Sequence, residues 1–285
     1  MKRLAISNIA WKPAEQEAVH AILQELGVHG MEIAPGLAFA GEPDPFAPSQ
    51  AAAFSFLQAL QRRGLELVSM QSLLFGVQDA LLFGTDGQRG RFKDGLMRAT
   101  SLARRLGVKN LVMGSPANRV IPDGMSRGNA WRIAAGLFRE IGDCCFQFGA
   151  KLALEPNPAT YGTNFLTCID ETVEFAQMVG HPAVAVNFDI GSLHMNGEIG
   201  AADQCFAKAE PFVSHVHISE PQLAPAPKDA KQFEALARSI LKRGYVGWLS
   251  IEMRAAGDEN LAGVRASVAA SLAALKAAVV EEALS

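Results

Sequence analysis

Short apolar runs alternate with longer stretches of helical period eight times along this 285-residue chain, and that alternation limits the folds open to it. The runs are "RLAISNIA" (3–10), "GMEIA" (30–34), "ELVSMQS" (66–72), "NLVMGS" (110–115), "KLALEP" (151–156), "AVAVNFD" (183–189), "FVSHVHIS" (212–219) and "GWLSIEM" (247–253). Helices are expected at about 14–26, 49–63, 89–106, 127–148, 167–179, 200–209, 230–243 and 259–281, several closed by stop signals such as "ELG" and "RLG". Strict β-α alternation implies a parallel sheet. Eight repeats in one chain favour a closed (β/α)8 TIM barrel over an open doubly wound sheet. No GxGxxG follows the first strand, which removes the dinucleotide-binding signature. No linker or low-complexity segment interrupts the pattern, so residues 1–285 are read as a single barrel domain of the α/β class. The longest irregular pieces follow strands 2, 3, 4 and 7.

Composition narrows the partners. The chain is 49% hydrophobic and 19% charged, enough for a large core. Its net charge is −3, which gives no electrostatic footprint for nucleic acid or an anionic membrane. The four cysteines, Cys144, Cys145, Cys168 and Cys205, have no CxxC spacing and read as reduced residues of a cytoplasmic protein. The apolar stretch of "MKRLAISNIAWKP" is too short for a secretory signal. No segment reaches the roughly 18 uncharged apolar residues of a membrane span, since the Ala-rich C-terminal stretch carries Arg265 and Lys276. A small molecule is the expected partner, with self-association into a homo-oligomer left open.

Barrel active sites lie at the C-terminal ends of the strands. There strand 5 places Glu155, strand 6 Asp189, strand 7 His217 and strand 8 Glu252. Adjacent strands lie about 4.8 Å apart, so the four side chains converge. Crowded carboxylates repel one another unless a positive charge sits among them. Three carboxylates and a neutral imidazole suit one divalent metal ion, Mn2+ or Mg2+ foremost, with Co2+ and Zn2+ as alternatives. Singly, an acidic residue at a strand end is more often a loop hydrogen-bonder or a helix cap; four on consecutive strands form a specific set.

Other residues carry weaker signals. His215 shares a strand face with His217 one layer deeper and reads as a supporting histidine. His194, in the loop after strand 6, Glu220, after the metal histidine, and Glu32, near the end of strand 2, are candidate substrate-binding residues. So are Asn157, beside Glu155, and Arg119, whose guanidinium could meet a carboxylate or phosphate. Trp11 and Phe75, past strands 1 and 3, could form an apolar wall against a sugar's carbon face, although packing is the default for an aromatic.

At "LALEPNP", "VNFDIGSLHMNGE", "HVHISEP" and "YVGWLSIEM" the chain resembles the xylose isomerase-like superfamily of sugar isomerases and epimerases. The segments "SNIAW", "GMEIAP", "SLLFG" and "LVMGSPANR" are similar to it as well, so the likeness runs through essentially the whole chain. The resemblance implies one divalent metal held by Glu155, Asp189, His217 and Glu252. It also implies that Glu155 and Glu252 act as acid and base around a cis-enediolate, as in the ketose 3-epimerases and hydroxypyruvate isomerases. Two positions depart from the epimerase pattern. Ser192 stands where those enzymes carry a histidine, with His194 two residues later, and Leu223 stands where they carry an arginine.

The reading that follows is a metal-dependent isomerase or epimerase acting on a small carbohydrate or polyol. Its rivals are an inosose-dehydratase-like lyase on a cyclic polyol and a non-catalytic sugar-binding barrel. DNA repair in the manner of endonuclease IV fits poorly, because that enzyme builds a zinc cluster from many histidines and this chain has six.

Overall fold

The computed structural model describes residues 3–282. Eight parallel strands close in sequence order into a barrel: β1 (Leu4–Ser7), β2 (Gly30–Ile33), β3 (Glu66–Met70), β4 (Asn110–Met113), β5 (Lys151–Leu154), β6 (Val184–Asp189), β7 (Val213–Ser219) and β8 (Trp248–Glu252). Closure is made where Leu4–Ile6 of β1 pair with Leu249–Ile251 of β8. The long helices are α1 (Gln16–Leu26), α3 (Gln50–Arg62), α4 (Asp86–Leu106), α5 (Arg127–Phe146), α6 (Ile169–Val179), α8 (Ala202–Ala209), α9 (Ala230–Lys242) and α10 (Asn260–Glu282). Each of the eight expected strands and eight expected helices is present within a few residues of its expected bounds. Residues 1, 2 and 283–285 of the expected domain lie outside the described residues.

Local chemistry sets the boundaries. β1 is shorter than its apolar run because Ser7 accepts a hydrogen bond from the Ile9 amide and starts a 3-10 turn, Asn8–Ala10. Thr85 and Gln88 form a reciprocal capping box at the start of α4. Gly27 and Gly107 end α1 and α4 in the left-handed conformation that glycine adopts without steric cost. Two short helices went unforeseen: α2 (Pro35–Ala38), started by a proline, and α7 (Ile190–Met195). The stretch carrying His194, expected as loop, is therefore helical. The connection after β5, residues 155–168, is also longer than the one after β7, residues 220–229, which reverses the expected ranking.

The core lies between the sheet and the helix ring. Aromatic rings chain through it edge to face: Phe92 on Phe138 (6.4 Å between centroids), Phe138 on Phe175 (5.9 Å) and Phe175 on Phe165 (5.0 Å), with Trp131 also against Phe175 (5.3 Å). By length and composition Asn260–Val279 is long and apolar enough to cross a membrane, despite Arg265 and Lys276. In the barrel this helix packs against α9 and α1. It sends Val264, Val268, Leu272 and Leu275 into the core, and Arg265 forks onto Glu25 of α1 at 2.6 and 2.7 Å.

Two strand pairings shift register: between Met31 and Glu32, β2 steps from Leu67 to Ser69 of β3, and between Val186 and Asn187, β6 steps from Val213 to His215 of β7. Bulges re-aim the side chains beside them, and both Glu32 and Asn187 point into the polar centre described next.

Phe175 meets three other aromatic rings and is fully buried. Its replacement by alanine is expected to lower unfolding free energy by about 3–5 kcal/mol, read from urea denaturation. A loss below about 1 kcal/mol would show that this cluster does not join α4, α5 and α6.

Candidate metal centre and its cavity

Four strand ends converge on one imidazole nitrogen. Nδ1 of His217 lies 3.1 Å from Glu155 Oε1, 3.2 Å from Glu252 Oε2 and 3.9 Å from Asp189 Oδ2. One donor atom from each of the four residues falls within 4.8 Å of the others. The sheet register produces this directly: Asp189 is paired with His217, and Ser219 with Glu252. Glu155 joins just past β5, where its amide extends the ladder by donating to Met113 O at 3.1 Å.

The other face of His217 defines what the centre can hold. Its Nε2 sits 3.1 and 3.2 Å from the two oxygens of Glu32, a fully buried carboxylate. An ionised carboxylate only accepts, so the ring proton belongs on Nε2. That leaves the Nδ1 lone pair aimed at three carboxylates, and this buried nitrogen has no partner at hydrogen-bonding angle. A lone pair and three anionic oxygens around one small volume match a divalent cation, with Glu32 orienting the ligating histidine from behind.

The protein's own groups show the same shortage of positive charge. Burial works against charging His217, yet Glu32, Glu252 and Glu155 outweigh it and hold the imidazole well above its usual range. Burial, then the Glu155 and Glu252 carboxylates, push Asp189 up to about 7. Burial raises Glu252 as well, against the pull of His217. Glu155 moves the other way: burial raises it, but His217, Asn157 and Arg119 together bring it below the usual carboxylate range. Protons gather where a cation would otherwise balance the carboxylates.

Each carboxylate is held by a dedicated donor. Asn187 Nδ2 donates to Glu155 Oε1 at 2.8 Å, and Asn157 Nδ2 to Glu155 Oε2 at 3.0 Å. Ser219 Oγ donates to Asp189 Oδ2, and the Ser192 amide to Asp189 Oδ1, both at 2.5 Å. Asp189 thereby caps α7 while facing the centre, which explains why a buried strand ends on a carboxylate. With its amide nitrogen turned inward, Gln71 donates to Glu252 Oε1 at 2.8 Å and Glu32 Oε1 at 2.9 Å, while Ser7 Oγ donates to its oxygen at 3.0 Å. His215 Nε2 lies 2.9 Å from Glu32 Oε2.

The candidate substrate-binding residues separate. Glu32 is sealed beneath the centre, where both histidines surround it, and cannot reach a substrate. Arg119 is 1% exposed; its Nη2 donates to Glu155 O at 2.8 Å and Asn157 Oδ1 at 2.6 Å. Burial brings its guanidinium down to about 10. Arg119 is therefore tied to the protein and is not presented to a carboxylate or phosphate. Asn157 holds Glu155. Trp11 is buried edge-on against His20, 6.2 Å between ring centroids. His194 Nε2 lies 3.9 Å from Glu220 Oε2, and Glu220 Oε1 accepts from the Lys228 amide at 2.7 Å. Both line a separate open cavity of about 720 Å³ with Lys228 and Lys231. Leu223 contributes its backbone: its carbonyl accepts from Arg254 N at 2.8 Å. Phe75 does face the centre's own cavity.

Gln71, Asn187, Ser219 and Ser7 were not foreseen as site residues. Asn187 had a readable signal, as the one polar residue in a buried run. Ser219 stands in strand alternation with His217. Gln71 and Ser7 had none.

The cavity beside Glu155 and Glu252 has a volume of about 320 Å³ and is walled by the ends of β3 and β4 with their following loops. Gly114 lies in that wall because a Cβ there would come 2.5 Å from Glu155 Oε2.

A closed (β/α)8 barrel with three carboxylates and a histidine gathered at its C-terminal rim defines a class of proteins. The chain belongs to the xylose isomerase-like TIM barrel family, whose model matches residues 21–277. No curated protein is close enough in sequence to count as a match. Among solved structures the chain is similar to 3-keto-D-glucoside 4-epimerase from E. coli, at 15% identity and TM-score 0.77 over 96% of this chain and 100% of that one. It is similar to an L-ribulose 3-epimerase at 17% identity and TM-score 0.79, over 100% and 98% of the two chains. A xylose isomerase-like TIM barrel protein from Mycobacterium smegmatis, solved in complex with magnesium, shares 18% identity at TM-score 0.64, over 98% of each chain.

Gly114→Ala is expected to displace the Glu155 carboxylate and weaken Mn2+ binding by roughly 10–100-fold, measured by calorimetric titration, with the circular dichroism spectrum unchanged. Wild-type Mn2+ affinity in this variant would mean that Glu155 does not contribute to the ion's site.

Proposed function

We propose that this protein is a divalent-metal-dependent isomerase or epimerase acting on a small sugar or sugar derivative. The observation that carries the reading is the His217 Nδ1 lone pair, buried without a hydrogen bond among Glu155, Asp189 and Glu252. Its barrel is also that of sugar epimerases. Glu155, Asp189, His217 and Glu252 would hold the ion, Mn2+ or Mg2+ by the hardness of the oxygen donors, with Co2+ or Zn2+ as alternatives. When bound, the ion would supply Lewis-acid polarisation of substrate oxygens.

The residues supply the proton chemistry. Glu155 and Glu252 come from opposite sides of the cluster, β5 and β8, and both line the same cavity. One carboxylate takes the carbon-bound proton next to a carbonyl, leaving an enediolate. The other carboxylic acid returns a proton to the same carbon from the opposite face, which epimerises it, or to the neighbouring carbon as the hydroxyl proton passes to the former carbonyl oxygen, which isomerises the sugar. Asn187 and Asn157 fix Glu155, and Gln71 fixes Glu252, so neither carboxylate needs to reorganise during transfer. The four cysteines are free, in keeping with a cytoplasmic location.

A lyase acting on a cyclic polyol, in the manner of the inosose dehydratases, is the second reading. The β7 loop leaves room for it, because Leu223 stands where the epimerases carry an arginine. Product lighter by one water separates the two.

Protein purified without chelator is expected to hold near one divalent ion per chain by plasma mass spectrometry, and the Glu155→Ala, Asp189→Ala double variant to hold none. No ion in either protein after soaking with Mn2+ would end the metal reading. Chelation should lower Tm by several degrees, because bound ligand stabilises the folded state by mass action. Glu252→Gln is expected to cut turnover on an active sugar by at least about 100-fold, within the range general acid–base catalysis contributes. Full turnover in that variant would exclude Glu252 as a proton carrier.

A further inference from the structure

The centre's cavity is polar and apolar by turns and holds no fixed cation. Among the residues that line it, Ser72, Ser115 and Asn118 supply neutral hydrogen-bonding groups, while Leu74, Phe75 and Val112 supply apolar surface. Glu155 and Glu252 are its only charged members. Neighbouring cations are turned elsewhere. Arg119 is buried on Glu155 O and Asn157. Arg98 is bound to Asp44 at 3.2 Å and to the Phe75 carbonyl at 2.8 Å. Lys228 and Lys231 line the separate cavity behind His194 and Glu220. Arg254, exposed just past β8, lies outside the lining.

Phe75 is 57% exposed, yet its ring is held in place. Its underside rests on Gly36, where a Cβ would come 2.7 Å from the ring, and Arg98 fixes its backbone. One aromatic face is thus left open at the cavity. An exposed, braced ring beside neutral donors suits a molecule with one C–H face and several hydroxyls.

Charge argues the same way. Glu32, Glu155, Asp189 and Glu252 are four buried carboxylates against one divalent ion and Arg119. With neutral imidazoles, the centre therefore stays net negative when loaded. A phosphate ester carries up to two further negative charges at neutral pH and would enter this cavity with no cation to receive it.

From this geometry we infer that the cavity takes an uncharged, unphosphorylated sugar or polyol, seated on Phe75, and discriminates against the phosphate ester of the same sugar. The inference rests on the reading that the carboxylate–imidazole centre is the reactive one, and it names that centre's substrate class.

The test pairs D-fructose with D-fructose 6-phosphate and D-ribulose with D-ribulose 5-phosphate on the Mn2+-loaded protein. Binding is followed by saturation-transfer NMR with a diamagnetic Mg2+-loaded control, and turnover by chromatography. At least one free sugar is expected to bind at least about tenfold tighter than its ester, one power of ten being a 1.4 kcal/mol preference. Phe75→Ala, at an exposed position, should weaken that binding about tenfold, and Ser72→Lys should bring the ester's affinity up toward the sugar's. Equal or tighter binding of the esters, or no binding of any of the four, overturns the inference. Turnover of an ester in preference to its sugar overturns it while leaving the isomerase reading standing. Selective binding of the free sugars without turnover supports it while removing that reading.

Discussion

The rim of this barrel is organised around one costly arrangement, a buried imidazole nitrogen crowded by three carboxylates. Taking charges out of water costs roughly several kcal/mol per ion even after relaxation. Left to themselves, Glu155, Asp189 and Glu252 would turn apart or take up protons. They are prevented from turning. Asn187 and Asn157 grip both oxygens of Glu155, Ser219 and the α7 amide grip both oxygens of Asp189, and Gln71 grips Glu252. Glu32 then fixes the histidine ring so that Nδ1 faces the carboxylates. The fold spends stability to keep four donors converged, a pattern expected where a site awaits a cation.

The barrel's closure makes that restraint possible. Gln71 at the end of β3 reaches Glu32 of β2 and Glu252 of β8, while Ser7 of β1 holds its amide oxygen. The network spans four strands that are neighbours only because β8 pairs with β1. An open sheet with the same strands would leave β8 and β1 at opposite edges and part Gln71 and Glu32 from Glu252 and His217. The two register irregularities serve the same end, since they fall immediately before Glu32 and Asn187.

Strand ends were legible in the sequence because their signals are local. Apolar runs give the strands, and the last ionisable side chain of each of the final four runs gives the cluster, so Glu155, Asp189, His217 and Glu252 could be named from four short segments. Side chains beyond the strands were not legible, because loop conformation decides where they point. Arg119 looks like a substrate anchor in "GSPANR", yet it turns under β5 to satisfy a carbonyl. Trp11 follows β1 closely but packs on His20 of α1. His194, a candidate substrate-binding residue, lies on α7 and faces a separate cavity with Glu220. Asn187 lay in plain view, since a fully buried amide within a strand has to serve some partner.

The two departures from the epimerase pattern lie in the segments that follow β6 and β7. Ser192 gives its amide to Asp189, and Leu223 gives its carbonyl to Arg254 N; at both positions the backbone is in use and the β6–β7 side of the rim is tied down. Open volume beside the centre lies instead toward β3 and β4. Arg119 sits between the two arrangements. A guanidinium can only donate, so Asn157 must present its oxygen to Arg119 Nη2 and therefore its amino group to Glu155 Oε2. A carboxamide alone could face either way. The buried arginine removes that freedom, so a charge held behind the centre sets which atom of Asn157 faces Glu155.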